Sequence, residues 1–305
     1  MNRVKAEEIK EIIKGDILIN HPLKEYTSLK VGGSADLIVF PDDREDLIKI
    51  IRCLDEEQTP YFILGSGTNL LIGDRGVREV IISLSTGFNR LELIEGNKSP
   101  LIFAEAGVSL VSLVRFSVDH SLSGLEFACG IPGTVGGGIV MNAGGRLGAF
   151  EDVTQSITIL NHKGKLITKT RQELAFLYRK LHLAPGSIVL SAIFQLNKGD
   201  QPNIKNRIRK EINRRKETLP LEFPNAGSIF KNPEGKKAGK LIDQAGLKGT
   251  QIGGARVSDM HANIIVNNGN ATASDILRLI EEIKTRVYQK TGVMLEPEIK
   301  IVGEY

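Results

Sequence analysis

Apolar positions in the first third of the chain switch between helical and extended spacing. Leu47, Ile50, Ile51 and Leu54 recur at helical intervals, and Asp43 stands where an N-cap belongs. A shorter amphipathic helix is predicted over residues 4–14. Apolar runs typical of buried strands fall at residues 36–40, 61–64 and 80–84. The strand–helix–strand order predicts a small α/β unit.

The middle of the chain repeats this alternation after a polar turn at residues 95–100. Ser109 is placed to cap a helix, and Lys163-Gly164 predicts the turn of a hairpin. Strands are predicted at residues 101–106, 153–161, 165–170 and 187–196. Residues 197–203 combine Lys, Gly, Asp and Pro, and we interpret them as a linker.

The last third has a different character, because it opens with a strongly basic helix that Pro220 and Pro224 end. Such a helix is either solvated or attracts the phosphates of a ligand. Helices are predicted at residues 204–217, 237–245 and 272–289, and strands at residues 262–267 and 295–305.

A glycine-rich stretch, residues 124–148, interrupts the middle of the chain. Glycine reaches positive φ without a Cβ clash and lets a ligand or another backbone come close. The stretch is otherwise apolar. It therefore predicts either a tightly turned loop system against a large flat ligand with phosphates, or close packing of turns and strands.

Composition limits the class of protein. The chain has 305 residues, 41% hydrophobic and 25% charged, which is globular and long enough for two or three domains. A net charge of +4 is too small to indicate a nucleic-acid partner. Cys53 and Cys129 form no disulfide framework and no metal-ligand spacing, so no metal site is expected. No apolar run approaches the roughly 18 residues of a membrane span, and the charged N-terminus lacks a signal peptide's apolar core, so we expect a soluble cytoplasmic protein.

A second polar, glycine-containing loop, GSGTNLLIGDRG at residues 65–76, directly follows a predicted strand. Consecutive N–H groups in such a turn can form an anion nest for a pyrophosphate. A polar loop between strands is an equally good explanation. Leu70 stands where a dinucleotide-binding fingerprint needs a third glycine, and no P-loop spacing is present.

Three further positions carry groups suited to catalysis. Ser228 lies in the loop AGSIFKNP, where Lys231 could support proton donation, although a hydroxyl-stabilised turn is the more common explanation. Arg179, predicted to follow a helical segment, could bind a carboxylate or phosphate, or lie on the surface. Glu298, at the start of the predicted terminal strand, is either buried with a raised pKa or exposed.

Taken in order, these motifs resemble the UDP-N-acetylenolpyruvoylglucosamine reductases (MurB) of peptidoglycan synthesis. The resemblance rests on six blocks: YTSLKVGGSAD, LGSGTNLLIGDRG, GLEFACGIPGTVGGGIVMNAGG, AGSIFKNP, KAGKLIDQAGLKGTQIGGARVSDMHANIIVNN and LEPEIKIVGE. The short interval between Arg179 and Ser228 resembles the compact form, which lacks an extra substrate-covering insertion. The chain departs from the family pattern at Gly145-Arg146, Leu181 and Leu219.

The resemblance implies an α+β fold. A two-lobed FAD-binding domain of the vanillyl-alcohol-oxidase (PCMH) type would be followed by a C-terminal α+β substrate-binding domain. The expected boundaries are an N-terminal helix at residues 1–20, the FAD-binding domain at 21–198 and the substrate-binding domain at 203–305. The two lobes would cover about residues 21–85 and 86–198.

The resemblance also implies the ligands, with FAD and NADPH as cofactors and UDP-N-acetylglucosamine enolpyruvate as the substrate. Hydride would reach the vinyl carbon, and a proton the adjacent carbon, giving UDP-N-acetylmuramate. No nucleic-acid or membrane partner is expected. The sequence leaves the oligomeric state open, and a monomer is the default.

By position, the resemblance assigns the site residues. Arg179, Ser228 and Glu298 would be catalytic, and Tyr178, Asn232, Lys248 and His261 would bind substrate. The FAD-binding set is Gly65, Ser66, Gly67, Thr68, Asn69, Gly130, Ile131, Gly133, Thr134, Gly136, Gly137, Asn142 and Ala143. Two alternatives remain: an FAD-dependent oxidase of the same fold acting on another sugar or alcohol, and a non-catalytic nucleotide-binding protein.

Overall fold

The computed structural model describes the backbone of residues 2–94 and 99–305, and side chains from residue 6 onward within those ranges. The chain forms two compact units. The first comprises the residues up to Ile19, Leu37–Ser66 and Glu79–Asn213, and the second Asn20–Asp36, Gly67–Arg78 and Arg214–Tyr305. The domain boundaries expected from the sequence stay predictions.

Helices and strands are mixed throughout the described residues, as the predicted α+β class requires. The helices are α1 Asn2–Ile12, α2 Arg44–Glu56, α3 Leu110–Asp119, α4 Val135–Val140, α5 Phe150–Val153, α6 Gln201–Thr218, α7 Ala238–Gln244 and α8 Ala273–Thr291. The strands up to the glycine-rich stretch are β1 Asp16–Pro22, β2 Ser34–Phe40, β3 Tyr61–Leu64, β4 Leu70–Ile72, β5 Val77–Ser83, β6 Leu91–Ile94, β7 Leu101–Glu105 and β8 Leu122–Ser123. The later strands are β9 Gly144–Gly145, β10 Gly148–Ala149, β11 Thr154–Leu160, β12 Leu166–Thr170, β13 Ala175–Leu177, β14 Lys180–His182, β15 Ile188–Gln195, β16 Asn197–Lys198, β17 Gln251–Ile252, β18 Ala255–Val257, β19 Ile265–Asn267 and β20 Lys300–Val302.

The first unit contains two hydrophobic cores, which fits the two-lobed prediction. One core lies on the four-stranded sheet β1-β2-β5-β3, where α2 contributes the fully buried Leu47, Ile50, Ile51 and Leu54. The other lies on the five-stranded sheet β12-β11-β15-β7-β6 and packs α3 and α4 against it. Cys129 is 4% exposed within the second core, so it packs as an apolar residue, as expected.

Local signals place several helix starts in both units. The Asp43 side chain accepts a hydrogen bond from the Asp46 N–H, and the Ser109 hydroxyl accepts one from the Ser112 N–H. In the second unit Thr272 caps α8 and accepts from Asp275 N–H, and Gly292, at φ 69°, ends it. The caps predicted at Asp43 and Ser109 are therefore confirmed.

The second unit is assembled from segments far apart in the sequence. β4 pairs in parallel with β20, so that Leu70 lies opposite Lys300. The antiparallel sheet β17-β18-β19 packs beside α8 and shares its apolar core with Leu29 and Leu71. Of the predicted terminal strand, residues 295–305, only Lys300–Val302 is a strand.

Two segments differ from the sequence expectation. The residues before Tyr178 form β13, and Tyr178-Arg179 is the two-residue turn of the β13–β14 hairpin, so the predicted preceding helix is wrong. Alternating burial over Ala175–Leu177 is a strand signal too short to recognise from sequence. Residues 197–203, interpreted as a linker, contain β16, which pairs with β8, and the first turn of α6.

None of the described helices combines the length and apolar character needed to cross a membrane.

Candidate active site

The glycine-rich stretch contains the short helix α4, which packs deeply into the first unit. A Cβ at Gly136 would lie 2.9 Å from Ala106 Cβ, and one at Gly138 would lie 2.6 Å from the Phe150 ring. These two glycines are therefore required for packing. The N–H groups of Val135 and Gly136 donate to the carbonyls of Val108 and Ala106. The start of α4 is thus held by protein acceptors.

Two exposed glycines flank Thr134, which is 8% exposed and caps α4. A Cβ on Gly65 would lie 2.9 Å from Thr134 Oγ1, and one on Gly137 would lie 3.5 Å from it. Apart from chain neighbours and, for Gly137, the backbone of its own helix, no other heavy atom of the described residues lies within 4 Å of either Cβ position. The missing side chains leave a shallow surface with a hydroxyl in it, and Gly133, at φ 148°, continues this surface with a backbone that favours glycine. Such a surface fits a flat dinucleotide with phosphates, so these residues fit the FAD that the resemblance implies.

In the second unit, the backbone after Gly67 is tightly constrained. A Cβ at Gly67 would lie 1.9 Å from the Tyr26 carbonyl oxygen, and its φ of 59° also favours glycine. The Gly67 carbonyl accepts from Ser28 N–H at 3.1 Å, and the Asn69 carbonyl accepts from Lys300 N–H at 3.0 Å. The nest residues 67–69 therefore lie on a backbone whose shape this unit fixes.

Arg179 lies at the tip of the β13–β14 hairpin with a left-handed φ of 59°. Its Nη1 donates to the Gly144 carbonyl at 2.9 Å, and its guanidinium lies 5.4 Å from the Tyr178 ring centroid. The Tyr178 side chain is 54% exposed, whereas Arg179 is half-buried. The predicted catalytic arginine and the glycine-rich stretch are thus in direct contact within the first unit.

Asn142 makes a second contact between the glycine-rich stretch and the β13–β14 hairpin. Its Nδ2 donates to the Leu177 carbonyl at 3.1 Å, and its Oδ1 accepts from Glu151 N–H at 3.1 Å. The side chain is 4% exposed, and the residue has φ 40°. Asn142 therefore supports the backbone that presents Arg179, a role that its predicted place in the FAD-binding set did not include.

In the second unit, Ser228 and Glu298 lie on adjacent segments. Glu298 N–H donates to the Ile229 carbonyl at 2.7 Å, and Phe230 and Pro297 form an antiparallel bridge. Both predicted catalytic side chains are half-buried. Lys231, expected to supply positive charge to Ser228, binds Glu296 through its Nζ at 2.5 Å. The Glu296 carboxylate therefore offsets part of that charge.

Asn263, which is not among the residues predicted from the sequence, holds the Ser228 loop. Its Nδ2 donates to the Phe230 carbonyl at 2.8 Å, and its Oδ1 accepts from Phe230 N–H at 3.0 Å. The side chain is 4% exposed. A polar residue inside an apolar strand pattern is the signal that could have identified it, since buried amides require hydrogen-bond partners.

Three of the predicted substrate-binding residues, Asn232, Lys248 and His261, lie in the second unit, and two of them are basic. Burial lowers the pKa of His261 below its ordinary value, and the positive charges of Lys248 and Arg214 lower it further. Lys248 Nζ also lies 3.1 Å from Asp243 Oδ2. Asn232 is exposed, and its Oδ1 accepts from the Ala238 N–H at the start of α7. The positive charges of Lys248 and Arg214 near His261 are suited to an anionic ligand.

One group of possible metal ligands occurs among the described residues. Ligand atoms of Glu8, Cys53 and Glu57 lie within 4.8 Å of one another. Glu8 and Glu57 are exposed. Exposed acidic groups commonly approach each other without an ion, so this cluster does not establish a metal centre.

Comparison with known proteins covers both halves of the chain. Residues 35–170 match the family profile of an FAD binding domain. Residues 219–302 match that of the UDP-N-acetylenolpyruvoylglucosamine reductase C-terminal domain. The mixed fold and the FAD-binding domain predicted from the sequence are therefore confirmed.

Relatives that match this chain over nearly its full length share the same enzyme name. The UDP-N-acetylenolpyruvoylglucosamine reductase of Caldanaerobacter subterraneus subsp. tengcongensis is 46% identical over 306 residues, covering 100% of both chains. Its namesake in Syntrophus aciditrophicus is 44% identical and covers 98% of this chain and 96% of its own. The crystal structure of UDP-N-acetylenolpyruvylglucosamine reductase (MurB) from Thermus caldophilus superimposes with a TM-score of 0.80 at 36% identity, over 95% of this chain and 99% of that one. The chain belongs to the UDP-N-acetylenolpyruvoylglucosamine reductase family.

Proposed function

We propose that this chain reduces UDP-N-acetylglucosamine enolpyruvate to UDP-N-acetylmuramate at the expense of NADPH, with FAD as its cofactor, in peptidoglycan precursor synthesis. The observation that carries the proposal is the 46% identity to a named reductase over the whole chain. We infer a cytoplasmic location from the nucleotide-sugar substrate and NADPH. The monomeric state stays a prediction that sedimentation would test.

FAD would be held by the loop at residues 65–69 and by the glycine-rich stretch. When bound, FAD would carry hydride from NADPH to the substrate. Gly65, Gly137 and Thr134 supply the shallow, hydroxyl-bearing surface described above, and the fixed backbone at Gly67 supports the nest. The remaining members of the proposed set are Ser66, Thr68, Asn69, Gly130, Ile131, Gly133, Gly136, Asn142 and Ala143.

Arg179 would stabilise negative charge on the substrate. Addition of hydride to the terminal vinyl carbon moves an electron pair toward the carboxylate, which acquires enediolate character. A guanidinium held in place before the reaction stabilises such charge without reorganising in the transition state. The hydrogen bond to Gly144 and the left-handed turn give Arg179 that fixed orientation.

Ser228 would donate the proton that completes the reaction, at the carbon next to the one that received hydride. Glu298 would assist Arg179 in a protonated or hydrogen-bonded state. The pairing of residues 229 and 298 holds the two side chains on adjacent segments, which supports a shared task. Tyr178, Asn232, Lys248 and His261 would bind the substrate, the last two through the diphosphate.

Stopped-flow kinetics would test the function in two steps. The purified protein should be yellow, NADPH should bleach it, and the enolpyruvyl UDP-sugar should then restore the colour. Ser228→Ala should leave the NADPH step nearly intact and lower turnover by about 10²-fold or more, because a positioned proton donor typically contributes that much. Ser99→Ala, which removes a hydroxyl from the first unit, is the matched control.

Two results would contradict the proposed reaction, and a third would contradict only the role of Ser228. A colourless protein that binds no flavin would favour a nucleotide-binding role. Oxygen consumption without NADPH would favour an oxidase. Unchanged turnover in Ser228→Ala would remove Ser228 as the proton donor while leaving the reductase activity itself standing.

A further inference from the structure

Helix α6 meets both ends of the glycine-rich stretch through two ion pairs. Arg207 Nη2 lies 3.1 Å from Glu126 Oε1, and Arg146 Nη2 lies 3.5 Å from Glu211 Oε2. Arg207 and Glu211 are four residues apart, so they share one face of the helix. In the first pair the helix supplies the arginine, and in the second it supplies the glutamate. All four residues lie in the first unit.

The two carboxylates are buried, whereas their arginine partners are exposed. Glu126 is 8% exposed and Glu211 is 7% exposed, and the side chains of Arg207 and Arg146 are 56% and 71% exposed. A buried carboxylate has little access to water and depends on protein partners. Glu126 also accepts from Gly124 N–H at 2.7 Å, at the first residue of the stretch. The Arg207–Glu126 pair therefore fixes α6 at one end of the stretch and, through it, sets the position of Glu211.

The second pair connects Glu211 to the predicted catalytic arginine. Arg146 lies in the two-residue turn between β9 and β10, and Gly144 opens β9. The Gly144 carbonyl is the acceptor for Arg179 Nη1. Apart from its chain neighbours, no described atom lies within 4 Å of a Cβ built on Gly145, so nothing packs against the hairpin at that position. The ion pair with Glu211 is a contact that restrains this turn.

We propose that Glu211 is a positioning residue that acts through Arg146 to hold the β9–β10 hairpin, and with it the Gly144 carbonyl that orients Arg179. The proposal rests on the proposed function, because the role of Arg179 in the reaction does. Glu211 touches neither substrate nor cofactor in this scheme. Its effect on catalysis is transmitted through one ion pair and one hydrogen bond.

A double-mutant cycle on the holoenzyme would test the link. Glu211→Gln and Arg146→Ala should each lower kcat about three- to tenfold, because small misplacements of a catalytic group reduce its contribution. The KM for NADPH should stay within about twofold, and Arg146→Lys should recover part of kcat. The double variant should lose no more than the worse single variant, since both changes break one pathway. Arg115→Ala is the control: it removes an arginine 84% exposed and 3.7 Å from Asp119 in the same unit.

Amide hydrogen exchange gives a readout that does not depend on turnover. In both single variants, peptides covering residues 142–150 and 174–183 should exchange faster than in the wild type, while α3 should not change. Faster exchange in the first peptide alone, or additive losses of kcat in the double variant, would overturn the proposal. If the wild type failed to reduce the enolpyruvyl substrate, the proposed function would fall, while linked exchange of the two peptides would still test the structural coupling.

Discussion

Asn69 Nδ2 donates a hydrogen bond to the main-chain carbonyl of Glu298 at 3.1 Å, across 229 positions of the sequence. Both residues belong to the second unit. The Asn69 carbonyl accepts in turn from Lys300 N–H, which lies two residues beyond Glu298. A residue predicted to hold FAD therefore supports the backbone of a residue predicted to be catalytic.

Asn69→Ala should reduce activity more than stability. Losing one partly buried hydrogen bond costs about 1 kcal/mol, equivalent to a fall in Tm of about 2–4 °C. Turnover should fall about tenfold, because the Glu298 backbone loses a support beside the reacting groups. Thermal unfolding and steady-state NADPH oxidation measure the two effects. Asn89→Ala removes hydrogen bonds only to Ser85 and Thr86, so it serves as the control. Equal turnover in both variants would contradict the expectation.

Asn142→Ala should destabilise the protein by about 2–3 kcal/mol, since it breaks two hydrogen bonds in a buried place. Alanine also tolerates the φ of 40° poorly. Asn142→Gly loses the same hydrogen bonds without that strain, so it should be about 1 kcal/mol more stable than the alanine variant. Urea unfolding gives both free energies. If the two variants were equally stable, backbone strain at residue 142 would be negligible.

Gly65→Ala should weaken FAD binding while leaving the fold intact. Its Cβ would enter the surface beside Thr134 Oγ1, 2.9 Å away, and would occupy space assigned to the cofactor. We expect at least a tenfold loss of FAD affinity, measured by titrating the apoprotein with FAD, and a Tm of the apoprotein within about 3 °C of the wild type. Gly145→Ala is the matched control, because Gly145 is not in the proposed FAD-binding set and, apart from its chain neighbours, its Cβ would meet no described atom within 4 Å. Unchanged FAD affinity in Gly65→Ala would place the cofactor elsewhere.

Protonation of His261 should destabilise the fold at mildly acidic pH. Its folded pKa is lowered by burial and by the charges of Lys248 and Arg214, so the unfolded chain binds the proton more tightly. The stability that the neutral imidazole contributes is fully present above the ordinary pKa of about 6.5 and is lost as pH falls toward the lowered value. His261→Gln should therefore show a shallower decline in Tm between pH 7.5 and 5. Parallel curves for the two proteins would show that His261 does not titrate in this window.

Local sequence signals predicted much of the fold. Tyr61–Leu64 forms a strand with the predicted bounds, and Asp43 and Ser109 cap their helices, because these features depend on neighbouring residues. The pairing of β4 with β20 could not be predicted in this way, since no local pattern in Leu70–Ile72 indicates a partner at Lys300–Val302.

In the candidate site, too, features that depend on neighbouring residues could be predicted, whereas contacts between distant segments could not. The positive φ of Gly67 and Gly133 agrees with the tight turns that the two glycine-containing segments predict. Asn263 supports its loop through a partner more than thirty residues away, and Glu211 holds the hairpin turn through Arg146, so the local sequence revealed neither role. The assignments of Arg179, Ser228 and Glu298 came from family resemblance, because isolated residues of these types are common on protein surfaces.

The pairing of β4 with β20 also affects how the protein can be made. Leu70, Leu71 and Ile72 are buried in the finished fold, but their parallel partner is synthesised about 230 residues later. At 5–20 residues per second, this apolar strand waits roughly 10–50 s on the nascent chain before its partner exists. The second unit is therefore completed late in translation, and the growing chain exposes an aggregation-prone edge that chaperones are suited to cover.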